Sequence, residues 1–300
     1  MKSLKIFLCI SAAVLLCVLA AGCVAPAGQQ IQPPAANLTA DLNYNDFFTY
    51  IETELSGRLV NTSISYADVN GAHLAYREFG SAENEPLILI MGYTGVMDKW
   101  SGEFVYSLAE DYHVYIYDHR GMGYSTDDGA EYAFIRLADD CVGLMRSLGY
   151  EKFNVLGHSM GSVLTQVLLT EYSANISKGV IVSTIPDIYY PGAEDLKNTV
   201  INAAAYKGTT PDGVYRESVA LIGYQGVFDE LKNVTNDVMV LVGTEDTVTP
   251  VQGSVDVAAE ISGAWLVQFK NCSHRIWSEI PLRSSEIVKT FLKMNETYTP

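Results

Sequence analysis

Residues 153–162 read FNVLGHSMGS. FNVL has strand character, and a helical pattern starts near Met160. A G-x-S-x-G between a buried strand and a helix places its serine on a sharp strand-to-helix turn, exposed at the carboxyl edge of a sheet. Gly157 and Gly161 allow that turn with little side-chain bulk beside it. The helix N-terminus brings backbone N–H groups toward Ser159, where an oxyanion would develop. Ser159 is therefore the candidate nucleophile.

The surrounding chain supplies the sheet. LILIM (87–91), VYIY (114–117), GVIV (179–182), VMVLV (238–242) and WLVQF (265–269) are further apolar runs. Such runs read as strands buried on both faces, as in a parallel sheet. Helical patterns fall at 97–111, 134–148, 160–173, 250–262 and 284–294. Runs at 63–69 and 73–79 flank Asn70-Gly71, a hairpin signal. Helical spacing also predicts a short leading helix over 45–56. The alternation predicts an α/β protein: a mostly parallel central sheet flanked by helices, with an antiparallel start. About fifty residues after Thr184 carry no strong strand run, too long for a simple connection. With helical patterns near 193–206 and 213–231, they read as a small helical cap at about 186–236. The alternative is a long crossover helix with a loop.

A serine needs a base, and the base needs an orienting acid. The chain has five histidines. His73 lies in the hairpin, His113 opens a strand, His119 follows that strand, and His158 adjoins the serine on the tight turn. His274, in FKNCSH after the last strand, is the candidate general base. The acid is expected at a strand end between serine and histidine. There GTEDTVTP offers Asp246 first and Glu245 second, with Asp187 third, one strand earlier. The glycines of MGYTG (91–95) let backbone turn toward the serine. The expected oxyanion donors are the N–H groups of Tyr93 and Met160.

Taken in order, MGYTG, YDHRGMGYS (117–125), GHSMG, GTEDTVTP and NCSH resemble the α/β-hydrolase fold superfamily, of the esterase and C–C-hydrolase type with a helical cap. The resemblance spans roughly residues 60–298. It implies attack of Ser159 on a substrate carbonyl and an acyl-enzyme released by water that His274 activates, with Asp246 orienting His274. In the second block Asp118, Arg120, Gly121, Gly123 and Ser125 would hold the loop beneath the site. Many relatives carry His-Gly where this chain has Met91-Gly92, so the surrounding hydrogen bonding must differ. Serine at 159 argues against relatives that use a carboxylate nucleophile. By resemblance the substrate is a small or medium carboxylic ester. A C–C-bond hydrolase, an aminopeptidase and a non-catalytic binding protein are the alternatives. Tyr93, Trp100 and Trp277 are expected to line the pocket. No cofactor or metal is expected, since neither a metal-ligand cluster nor a phosphate-binding glycine loop is present.

The formal net charge is −16, which disfavours nucleic acid and anionic lipid surfaces as partners. The start of the chain predicts export. Two lysines precede an apolar run that ends in LAAGC (19–23), which reads as a secretory signal over 1–22. LAAGC resembles a lipoprotein lipobox with Ala20 where leucine is usual, which implies lipidation of Cys23 and a cell-surface anchor. Secretion without lipid, or an uncleaved signal anchor, are the alternatives. Residues 23–40 read as a tether, and 41–300 as the folded domain. Sequons at Asn37, Asn61, Asn175, Asn233, Asn271 and Asn295 fit an exported chain. Beyond the signal and Cys23 only Cys141 and Cys272 remain, too few for a disulfide framework.

Overall fold

The strand PLILI explains the centre of the molecule. β3 (Pro86–Ile90) sends Leu87 and Leu89 to one face and Ile88 and Ile90 to the other, and all four are fully buried. A strand apolar on both faces needs helices on both. In the computed structural model, which describes residues 56–294 except 131, 206, 209 and 210, they are present. α1 (Gly102–Ala109), the short α7 (Ile276–Glu279) and α8 (Pro281–Lys293) cover the Leu87 face. α2 (Phe134–Ser147), α3 (Met160–Glu171) and α6 (Val251–Glu260) pack on the other. The predicted signal, tether, Cys23, Asn37 and Asn295 lie outside the described residues, as does the predicted leading helix apart from Ser56. Among the described residues no helix is long and apolar enough to cross a membrane.

Among the described residues the sheet has eight strands. They are β1 (Ser65–Val69), β2 (Ala72–Phe79), β3, β4 (His113–Tyr117), β5 (Phe153–His158), β6 (Ile176–Val182), β7 (Asp237–Gly243) and β8 (Trp265–Phe269), in the order β1-β2-β4-β3-β5-β6-β7-β8. β2 pairs antiparallel with β1 and β4, and every other pairing is parallel. Asn70 and Gly71 both hold positive φ, 50° and 83°, as the two-residue hairpin between β1 and β2 requires. The chain leaves β3 for β4 on one side and returns to β5 on the other. In open α/β sheets ligands bind at such a switch point, beyond the carboxyl ends of the strands. Met91-Gly92 follows β3 and Ser159 follows β5, so both meet there.

Three expectations are corrected. The helix predicted over 97–111 is broken. A 3-10 turn at Met97–Lys99 ends at Trp100, and Ser101 starts α1 afresh by accepting the Phe104 N–H at 3.3 Å. WLVQF is not buried on both faces. β8 closes the edge of the sheet, so its residues alternate between half-buried and exposed before Phe269. Between β6 and β7 lie α4 (Glu194–Ala205) and α5 (Asp212–Gly223). The pattern read over 213–231 is α5 followed by a separate 3-10 segment, Phe228–Asn233.

Candidate active site

Ser159 has φ 56° and ψ −119°, a conformation that non-glycine residues seldom hold. Neighbouring elements over-determine it. Its N–H donates to the Val182 carbonyl of β6 at 3.0 Å, and its carbonyl accepts the Ser162 hydroxyl at 2.5 Å. The helix behind it must lie close to β3. A Cβ on Gly161 would stand 2.2 Å from the Ile90 carbonyl oxygen, so only glycine fits there. Gly92 is constrained from the other side, since a Cβ there would lie 2.8 Å from Ser159 Cβ. The loop after β3 therefore abuts the serine directly. Tyr93 and Met160 both line the cleft at Ser159. Among the described residues no acceptor engages either N–H. Buried backbone donors are rarely left open, so two beside a serine suit a developing oxyanion.

Asp246 and His274 are paired. His274 Nδ1 lies 2.9 Å from Asp246 Oδ2 and 3.1 Å from Oδ1. A proton on Nδ1 directed at the carboxylate leaves Nε2 as the basic nitrogen. The Asp246 side chain has no exposed surface. It accepts the N–H groups of Val248 and Thr249 and the Thr249 hydroxyl at 2.9–3.0 Å. Burial alone raises this carboxyl; His274 and the Thr249 donors outweigh it and hold the group below its ordinary value. Glu245 is exposed instead, and Asp187 lines the cleft away from the pair. Ser159 Oγ and His274 are not joined by a hydrogen bond here. The His274 ring stands 4.7 Å from that of His158, the residue before the serine.

The other buried histidines support the loops. His158 Nε2 donates to the His274 carbonyl at 3.0 Å, and Ser183 Oγ donates to the same oxygen at 3.0 Å. Burial, helped by the nearby His274, pushes His158 down to about 3, so it is neutral. His119 is pushed down to about 4 by burial, and its Nε2 donates to the Met91 carbonyl at 3.3 Å. Its ring thus braces the end of β3 at Met91-Gly92. Asp118 is part of the same support. It accepts the Met97 N–H at 2.6 Å and the Tyr124 N–H at 2.8 Å.

Of the expected pocket residues, Tyr93 lines the cleft and the two tryptophans do not. Trp100 and Trp277 are 2% and 4% exposed, with ring centroids 4.8 Å apart, and they pack against His158 beneath the site. Cap residues take their place: Leu196 from α4, Leu221 from α5, and Tyr224 just after it. The cleft between cap and serine is nearly closed, about 20 Å³, room for roughly one water. A larger cavity of about 830 Å³ lies on the other side of Tyr224, between α2, α3 and α5. Thr249 and the cap leucines were missed in the sequence. Thr249 had a local signal, three residues after the acid where a side chain caps a turn. The leucines had none.

A sequence profile of the α/β hydrolase fold matches residues 85–219. The chain is 25% identical over 269 residues to the proline iminopeptidase PfmaB of Pestalotiopsis fici, covering 72% of this chain and 94% of that protein. It is 27% identical over 212 residues to a putative non-heme chloroperoxidase of Synechocystis sp., covering 67% and 72%. Among solved structures, the enol-lactonase from Burkholderia xenovorans LB400 superposes with a TM-score of 0.66 at 22% identity, covering 77% of this chain and all of that one.

Proposed function

Given that this chain has the α/β-hydrolase fold, we propose that it is a serine hydrolase acting on a small or medium carboxylic ester. Ser159 attacks the acyl carbon while His274 Nε2 takes its proton. Asp246 holds the His274 ring and its tautomer and balances the imidazolium. The oxyanion is met by the Tyr93 and Met160 N–H groups. The alcohol leaves with the proton from His274, and water activated by the same nitrogen releases the acid. The observation that carries this reading is the strained Ser159 between two unengaged backbone donors, with an Asp246–His274 pair at 2.9 Å beside it. The small, mostly apolar cleft supports a short acyl group.

The test is hydrolysis of p-nitrophenyl esters of graded acyl length by wild type and Ser159→Ala. Turnover in the first that is lost in the second supports the reading. A folded wild type that turns over none of them sinks it.

A second reading, an aminopeptidase on the same three residues, is favoured by the similarity to a proline iminopeptidase. Asp187 is the charged side chain at the cleft, where a substrate ammonium would meet it. Hydrolysis of prolyl-p-nitroanilide faster than of any ester would move the assignment there. The reading extends to location: the basic start, the apolar run and LAAGC support export and attachment through Cys23. Metabolic labelling with palmitate, present in wild type and absent in Cys23→Ala, tests it.

A further inference from the structure

The loop carrying the Tyr93 N–H is held from below and from above. Below, His119 holds the Met91 carbonyl and Asp118 holds the Met97 N–H. Above, two adjacent residues of the cap helix α5 grip two adjacent residues of the loop. Glu217 Oε2 accepts the Thr94 N–H at 2.8 Å. Ser218 Oγ lies 2.6 Å from the Tyr93 hydroxyl. The Ser218 hydroxyl already donates to the Val214 carbonyl at 2.7 Å, so in the second contact Tyr93 is the donor. Glu217 and Ser218 have no exposed surface, so neither contact is a solvated surface pair.

Thr94 shows why the grip matters. Its φ is 61°, a left-handed conformation costly for a β-branched residue. Strain of that kind persists only where neighbours over-determine it. Glu217 is the acceptor of the Thr94 N–H, so it fixes the peptide plane between Tyr93 and Thr94. The Tyr93 side chain is fixed at its far end by Ser218. Tyr93 is thereby held on both sides, and with it the direction of its own N–H. The Gly95 N–H closes the turn locally on the Gly92 carbonyl at 2.9 Å, and Lys99 Nζ donates to the Thr94 carbonyl at 3.1 Å. Without the cap contacts these alone hold the Tyr93–Thr94 peptide, and its orientation toward Ser159 loosens.

We infer that Glu217, assisted by Ser218, is a positioning residue that makes the oxyanion hole complete only when the cap is seated on the body. The inference rests on the serine-hydrolase reading. It couples closure to chemistry: an open cap admits substrate to a site whose Tyr93 donor is not yet aligned, and closure aligns it. The nearly filled cleft of the seated cap agrees with a site that must open to load.

The test is the rate of Ser159 modification by a fluorophosphonate probe, whose phosphoryl oxygen needs the same donors. The maximal rate and the half-saturating probe concentration are measured separately for wild type, Ser159→Ala, Glu217→Gln, Glu217→Ala and Ser218→Ala. Glu217→Gln keeps an acceptor for the Thr94 N–H and is expected to stay within about threefold of wild type. Glu217→Ala is expected to lose about 10- to 100-fold in maximal rate, less than the removal of a whole oxyanion donor, with half-saturation little changed. Ser218→Ala should lose several-fold in the same parameter, and it decides the matter with the glutamine variant if Glu217→Ala fails to fold. A maximal rate unchanged in the alanine variants, or a glutamine variant as slow as alanine, overturns the inference alone. A wild type that the probe does not modify overturns the serine-hydrolase reading and this inference with it.

Discussion

Asp246 is fully buried and its oxygens are fully used, by His274, Val248 and Thr249. Asn in its place keeps an acceptor for the two backbone N–H groups but presents an amide donor to the histidine, which favours the wrong tautomer. Asp246→Asn is therefore expected to lower kcat by about 10³- to 10⁴-fold with KM and thermal midpoint nearly kept, measured on whichever substrate wild type turns over. Glu217 makes the opposite electrostatic case. Burial pushes its carboxyl up to about 8, against the pull of the Thr94 N–H and Lys99, and Oε1 has no partner. Tyr93 and Tyr132 are the other titratable groups that feel it. A folded-state pKa above the unfolded one gives stability that is complete below the ordinary glutamate range and lost as pH rises through about 8. The thermal midpoint of wild type is expected to fall relative to Glu217→Gln between pH 5 and 9, by several degrees, and to run parallel to it above pH 9. Parallel curves throughout would show that Glu217 ionises normally. At this scale the sequence was informative where chemistry is local. GTED offered two acids, and the G-x-x-D pattern after the strand favoured the one that the fold pairs with His274. It was silent where contacts are distant: Glu217 and Thr94 are 123 residues apart, and nothing near either names the other.

The elements locate the site through close approach. α3 starts against β3 because Gly161 permits it, and the cap helices close over the serine with Leu196 and Leu221. The turn between β5 and α3 was legible because its glycines have a steric reason. The cap lining was not, since apolar positions on α4 and α5 have the same spacing whether they face the cleft or the body. The tryptophans show the same ambiguity: Trp100 and Trp277 flank the site in sequence, yet they pack edge-on beneath it. Tyr224 is the element-level device that separates the cleft from the larger cavity. It lines both, and its ring stacks on Phe134 of α2 with centroids 4.4 Å apart. Its hydroxyl is buried without a partner. Tyr224→Phe removes only that hydroxyl and is expected to be neutral or slightly stabilising. Tyr224→Ala joins the two cavities. It should shift the preferred p-nitrophenyl ester to longer acyl chains at a cost of about 3–5 kcal/mol in stability. An unchanged chain-length profile would mean that the acyl group does not travel past Tyr224.

At the scale of the molecule, the two helix layers and the parallel sheet account for most of the core, and that much followed from runs apolar on both faces. The antiparallel end is secured differently. Arg120, 1% exposed, makes two 2.6 Å hydrogen bonds to Asp140 on α2 and one to Asp128, and also donates to the Asn70 carbonyl in the β1–β2 turn. Asn70 in turn donates to Asp140, and Arg136 holds Asp128 and the Asn70 carbonyl. One buried guanidinium thus ties the hairpin, the loop after β4 and α2 together. Burial holds the Asp140 carboxyl above its ordinary value even though Arg120 and Asn70 pull it down. A buried pair adds little over an apolar replacement of both partners, but breaking it leaves a stranded charge. Arg120→Ala is expected to cost about 3–5 kcal/mol for that reason. At roughly 2–4 °C per kcal/mol for a domain of this size, the thermal midpoint should drop by about 6–20 °C in calorimetry. The double variant Arg120→Met, Asp140→Leu should recover a large part of the loss. If the single variant melts with wild type, the buried guanidinium adds nothing to stability, and the hairpin must be held by its pairing to β4 alone.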